Sequence, residues 1–213
     1  MEDLGLLIIF WYGILHAFGP DHLTAIADFS IGKEKKKTIL ITLLFALGHG
    51  LSLLLFAKLL TIYDIPEEIL AYGDIISAAV ILLMGIYLLY MVYSKRINIH
   101  KHTHNNEEHI HIYFGKEHTH SKTDINSALS IGTLMGIGGV RGMLVTLGLV
   151  ETQSIDMTMV LAFTLGVMVI FFAFGLCILY INKNLLKSKK NVNRIFTSAG
   201  IISVLVGMNM LIS

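Results

Sequence analysis

Two imidazoles and a carboxylate stand close together near the start of the chain, in Leu15-His16-Ala17-Phe18-Gly19-Pro20-Asp21-His22. The spacing is His-x4-Asp-His, at the end of a run that is otherwise apolar from Leu4 onward. Such groups are expensive in an apolar helix and mark a site by default. A further histidine, His49, lies in Phe45-Ala46-Leu47-Gly48-His49-Gly50, where glycines permit close helix approach. A lone histidine on an apolar helix is usually structural, but beside the other three it completes a nitrogen-rich, mixed N/O set. That set suits a borderline divalent cation such as Ni²⁺ or Co²⁺, whereas Mg²⁺ and Ca²⁺ prefer oxygen. The expected metal-binding residues are therefore His16, Asp21, His22 and His49.

An unbroken helix could not bring them together. At 100° per residue, His16 and His22 point about 120° apart, and Asp21 lies about 140° from His16. Pro20 has no N–H to give to the carbonyl of His16, and Gly19 beside it loosens the turn. Gly19 and Pro20 are thus expected to break the helix, let the side chains converge and free a carbonyl as an extra oxygen ligand. Broken backbone at membrane depth is tolerated where protein or a water-filled cavity covers it.

The elements that must position this set follow from composition. The 213 residues are 54% hydrophobic and 15% charged, against about 25% charged in soluble domains. Mean hydropathy is +0.71. The expected class is an all-α, polytopic membrane protein. Spans of about 20 apolar residues are expected at about 4–26, 38–60, 69–93, 126–150, 157–181 and 195–213. The net charge of +1 gives no argument for nucleic acid, and the single cysteine, Cys177, allows no disulfide within one chain. Glu2 and Asp3 stand where a cleavable signal would have basic residues, so the first span is expected to be retained.

The loops alternate in charge. Lys33 and Lys35 to Lys37 precede the second span, Lys95, Arg96, Lys101, Lys116 and Lys122 follow the third, and Lys183, Lys187, Lys189, Lys190 and Arg194 precede the sixth. The other two loops carry Asp64, Glu67 and Glu68, and Glu151 and Asp156. Because basic loops face the cytoplasm, both termini are expected outside a cell membrane. The halves 1–93 and 126–213 also resemble each other. Shifts of about 118 to 119 pair Gly13 with Gly132, Gly19 with Gly138, and Leu43, Phe45, Leu47 and Gly48 with Leu161, Phe163, Leu165 and Gly166. With three spans in each, the copies would form a 3+3 inverted repeat, a recurring transporter plan. The same alignment puts Arg141 where the first half has His22. As a charge within a span it is expected to gate the site, pairing with Asp21 when no cation is bound.

Residues 94–125 form a polar segment between the halves. It holds His100, His102, His104, His109, His111, His118 and His120, most of them at alternating positions. We read it as a flexible cytoplasmic loop that gathers imidazoles around metal, without specifying which metal.

His16-Ala17-Phe18-x-x-Asp21-His22-x-x-Ala25-Ile26 resembles the signature of the nickel/cobalt transporter family and its urease-accessory-type relatives. Leu47-Gly48-His49 resembles that family's second motif. The resemblance covers the first two spans and implies that His16, Asp21, His22 and His49 handle the metal during transport. Larger members typically have eight spans where six are counted here, and the second half, with Met135-Gly136-Ile137-Gly138-Gly139-Val140-Arg141, shows no clear counterpart of their later motifs.

The expected function is secondary transport of nickel or cobalt, with the metal as cargo and no prosthetic group. The chain has no Gly-x4-Gly-Lys-Ser/Thr loop for ATP. Two other classes remain open. One is an accessory subunit passing metal to a metallochaperone or ATPase partner, and homo-oligomerisation is open too. The other is a membrane acyltransferase using a His-x4-Asp pair as general base, a reading disfavoured by the pair's position within a span, so no enzymatic activity is expected.

Overall fold

The computed structural model describes residues 2–63, 66–104, 107–114, 123–150 and 156–212. The first apolar run is two helices, α1 (Glu2–Ala17) and α2 (Pro20–Ser30), bent by 58° about Phe18 and Gly19. Then come α3 (Lys35–Leu60), α4 (Glu67–Tyr93), a hairpin of β1 (Ile97–His104) and β2 (Glu107–Phe114), and α5 (Thr123–Val150), α6 (Met157–Asn184) and α7 (Lys189–Ile212). Five helices are long and apolar enough to cross a membrane, and six spans result if α1 and α2 count as one. All the spans are helical, as composition led us to expect.

Burial explains the apolar surface. Leu51, Leu55, Leu83, Val145 and Leu205 are all more than half exposed, a distribution suited to hydrocarbon rather than water. The interior is held by backbone approach at glycines, as in bundles that cannot rely on a hydrophobic drive. Helix α1 packs on α6, α3 on α5 and α6, α4 on α5 and α7, and α2 on the inner faces of its neighbours. Gly13 lies against the carbonyl of Phe163, and Gly132 against that of Phe45. Gly48 meets the carbonyl of Leu129, and Gly166 that of Phe10. A β-carbon at any of the four would collide with backbone.

Two polar devices hold helix ends. Asp156 caps α6, its Oδ1 accepting from the Thr158 N–H at 2.8 Å and its Oδ2 from the Thr158 hydroxyl at 2.7 Å. Asn182, near the end of α6, donates to the carbonyls of Ser30 at 2.9 Å and Lys33 at 3.1 Å, and accepts from the Gly32 N–H at 3.0 Å. Gly32 has φ of 79°, a conformation open to glycine, and this lets the chain turn from α2 into α3.

The histidine segment differs from the flexible loop we expected. Its backbone is an antiparallel ribbon in which His100 pairs with His111, His102 with His109, and His104 with Glu107. Alternation of residue type is the period of a strand, which explains why this sequence takes the form. His118 and His120 lie outside the described residues, as do Asp64, Lys116, Lys122 and Glu151 of the loops.

Candidate metal centre

The break between α1 and α2 is local chemistry. Pro20 sits in the first turn of α2, where its missing N–H costs nothing and its fixed φ suits the helix. Gly19 is extended, with φ of −49° and ψ of 130°. It is glycine for room: a β-carbon there would strike Asp21 Oδ1 and come within 3.1 Å of the His16 carbonyl and 3.4 Å of the His22 ring. The expected free carbonyl is not found, because the Gly19 N–H donates to the carbonyl of His16 at 2.9 Å. The Thr24 hydroxyl in turn lies 2.5 Å from the carbonyl of Pro20 and 3.0 Å from that of Asp21.

The bend brings three of the four expected ligands together. His16 closes α1, His22 lies in the first turn of α2, and His49 enters from the middle of α3. One ligand nitrogen from each lies within 4.8 Å of the others. The Nε2 atoms of His16 and His22 are 3.1 Å apart, and two nitrogens each about 2.0–2.1 Å from a common ion stand about 2.9–3.4 Å from one another. The His22 ring is 4.8 Å from both of its neighbours, while those of His16 and His49 are 6.1 Å apart. His22 is therefore the centre of the set.

Asp21 stands beside this cluster. Its Oδ2 is 3.4 Å from His22 Nδ1, within ion-pair range but without hydrogen-bond geometry. A carboxylate behind a ligating histidine orients the ring and raises its basicity, so the position suits a supporting role as well as direct ligation. His22 and His49 are buried, and among the described residues both nitrogens of His49 and Nδ1 of His22 have no hydrogen-bond partner. Each such buried group costs about 1–3 kcal/mol. A cation bound among the rings would recover part of that cost.

Aromatic rings wall one side. Phe163 is 5.2 Å from His16, and Phe171 is 5.6 Å from His22 and 5.2 Å from His49. On the other side a cavity of about 460 Å³ reaches the cluster, lined by Asp21, Asp74, Ser77, Gly138, Gly139 and Arg141 among others. A β-carbon on Gly139 would lie 3.2 Å from His16 Nε2 and 3.3 Å from His49 Nε2, and one on Gly142 would lie 3.2 Å from the His16 ring. The second half contributes bare backbone here, which packs against the His16 and His49 rings without placing a side chain among them.

Arg141 corrects one expectation. Its Nη1 lies 3.4 Å from Asp74 Oδ2 in α4, so Asp74, not Asp21, is its partner. The reason is placement. Arg141 is on the exposed part of the cavity wall, its side chain 55% exposed, facing α4 rather than the break. Asp74, Ser77 and Gly139 were not anticipated as part of the site. The glycine density of Gly136, Gly138, Gly139 and Gly142 was the available signal, since it marks where helix backbone approaches other groups.

On the ribbon, the register places His100, His102, His104, His109 and His111 at positions of a single face, because directly paired and alternate residues share a side. Comparison of the chain with protein-family models, with curated proteins and with solved structures finds no match.

Proposed function

We propose that this chain is a secondary transporter of a divalent transition-metal cation, nickel or cobalt, which it binds at His16, His22 and His49 with Asp21 in support. One observation carries the reading: three imidazoles from separate helices converge within 4.8 Å inside an apolar helical body, and two of them, His16 and His22, line a cavity that also holds two carboxylates. Soft thiolate is missing from the cluster, and nitrogen with carboxylate suits borderline ions. The likeness of the first two spans to the nickel/cobalt transporter family supports the same cargo.

The proposal extends to architecture. The two halves form a 3+3 inverted repeat, supported by swapped contacts. Gly13 against Phe163 has its counterpart in Gly132 against Phe45, and Gly48 against Leu129 in Gly166 against Phe10. Each pair maps onto the other at shifts of about 118 to 119. Alternating access then consists of one repeat rocking against the other around the cluster. The basic loops face the cytoplasm of a cell membrane and both termini face outward. The histidine ribbon is then a cytoplasmic arm that holds metal on that side.

The test is metal flux in proteoliposomes. Vesicles containing the protein take up or release Ni²⁺ or Co²⁺ down an imposed ion gradient, and empty vesicles do not. Protein that moves neither ion under any gradient ends the proposal.

A further inference from the structure

A second polar site lies in the membrane body, away from the metal cluster. Asp28 is on α2, seven residues and about two turns, roughly 10 Å, beyond Asp21. Its Oδ2 is 2.7 Å from Ser203 Oγ of α7, and its Oδ1 is buried without a hydrogen-bond partner among the described residues. The helices packed on α2 are α3, α4, α5, α6 and α7. Among the described residues, Ser203 is the polar group that meets Asp28, and no charged group from these helices faces it. His49 of α3 belongs to the cluster, and Arg141 of α5 is paired with Asp74 of α4. The lysines of α3, α6 and α7 sit in first or last turns.

A lone carboxylate in such surroundings is costly, and a carboxylic acid is much less so. The hydroxyl beside it suits both forms. Ser203 Oγ lies 2.7 Å from Asp28 Oδ2 and also 2.9 Å from the carbonyl of Ala199 in its own helix. A hydroxyl has one proton to give and lone pairs to receive one. With Asp28 ionised, Ser203 donates to Oδ2. With a proton on Oδ2, the carboxyl donates to Ser203 Oγ and Ser203 turns its own proton to Ala199. No heavy atom has to move between the two.

We infer that Asp28 is a proton-binding site that fills and empties in exchange for the metal ion, giving the carrier its coupling ion. The inference rests on the transport reading above. The step is a single protonation: one O–H bond forms at Oδ2 as a proton arrives from water, and the same bond breaks when the proton leaves. A divalent ion arriving two turns away on the same helix favours the carboxylate, and its departure favours the acid. Asp28 and Ser203 join the two halves, so the exchange is placed where the repeats move.

The experiment uses the full chain in proteoliposomes loaded with a pH dye, with Ni²⁺ as the probe. Wild-type protein moves protons against the Ni²⁺ flux. Asp28→Asn still binds one Ni²⁺ per chain in detergent, which also shows that it is folded, but its Ni²⁺ affinity no longer varies with the protonation of residue 28 and it loses the proton movement. Ser203→Ala shifts the pH midpoint of Ni²⁺ flux to higher pH, because the charge-assisted bond it loses is the stronger one. Three results overturn the inference: proton movement in Asp28→Asn equal to wild type, loss of one bound Ni²⁺ per chain in that variant, or wild-type Ni²⁺ flux without protons. Absence of any wild-type Ni²⁺ flux is a different failure and removes the transport proposal itself.

Discussion

Replacing Gly139 by alanine separates the cost of blocking the metal from the cost of disturbing the fold. The added methyl carbon would stand 3.2 Å from His16 Nε2, 3.2 Å from His49 Cε1 and 3.3 Å from His49 Nε2. A bound ion needs about 2.0–2.1 Å from each nitrogen, so the methyl would occupy space needed by the ion and its remaining ligands. Disturbing groups next to a metal set typically costs 10–100-fold in affinity, about 1.4–2.8 kcal/mol. The fold responds in two opposed ways. Alanine is favoured over glycine within a helix by about 1 kcal/mol, while crowding costs about 1–3 kcal/mol. The net change in stability is therefore at most about 2 kcal/mol. Equilibrium dialysis of Ni²⁺ against detergent-solubilised protein reads the affinity, and thermal loss of helical circular dichroism reads the stability. The expected result is a 10–100-fold weaker Kd with the helical signal intact. Wild-type affinity in Gly139→Ala would show that the ion does not sit against the bare face of α5.

Three more outcomes follow from named contacts. In a His22→Ala background, exchanging Lys101 and His102 keeps the histidine count but moves one histidine out of the alternating register of the ribbon. Residual Ni²⁺ binding by the full chain should fall, and unchanged binding would mean that the ribbon register is irrelevant. At the cavity mouth, Asp74→Asn leaves Arg141 without its carboxylate and should slow Ni²⁺ uptake at low metal, while Arg141→Gln should speed it. The difference should shrink in high salt, and equal rates in all three proteins would exclude an electrostatic role for the pair. At the start of α6, Thr158 holds the Asp156 carboxyl below its usual value of 3.8, first through its hydroxyl and then through its N–H. That stabilisation is present above pH 3.8 and lost as pH falls through the lowered value. Asp156→Ala should cost about 1 kcal/mol at neutral pH and less in acid, where the protonated carboxyl is a weaker cap, measured by thermal melts across pH; a constant deficit would contradict this.

Much of the fold was legible because lipid imposes simple rules. Runs such as Ile69 to Tyr93 could be read as spans from length and apolarity alone. So could the break at Gly19-Pro20, since proline in an apolar helix has few other uses. The convergence of His16, His22 and His49 was also readable. The supporting position of Asp21 was not, because its orientation depends on how far the helix bends. The partner of Arg141 was missed for a related reason: a sequence shows which charge is buried poorly, but not which face of α5 turns toward α4. The ribbon was less legible, because a polar segment rich in histidine reads as a flexible loop, although histidines at alternating positions also follow the two-residue period of a strand. The glycines of α5 gave no counterpart of the later family motifs, yet in three dimensions Gly139 and Gly142 stand against the histidine cluster.

The most direct measurement of the central claim is Ni²⁺ binding and flux by His22→Ala beside wild type in the same detergent and vesicles. His22 is the ring that neighbours both others at 4.8 Å, so its removal leaves two imidazoles 6.1 Å apart. Intramembrane binding and flux should be lost in His22→Ala while the helical signal persists. Equal Ni²⁺ affinity and equal flux in the two proteins would contradict it.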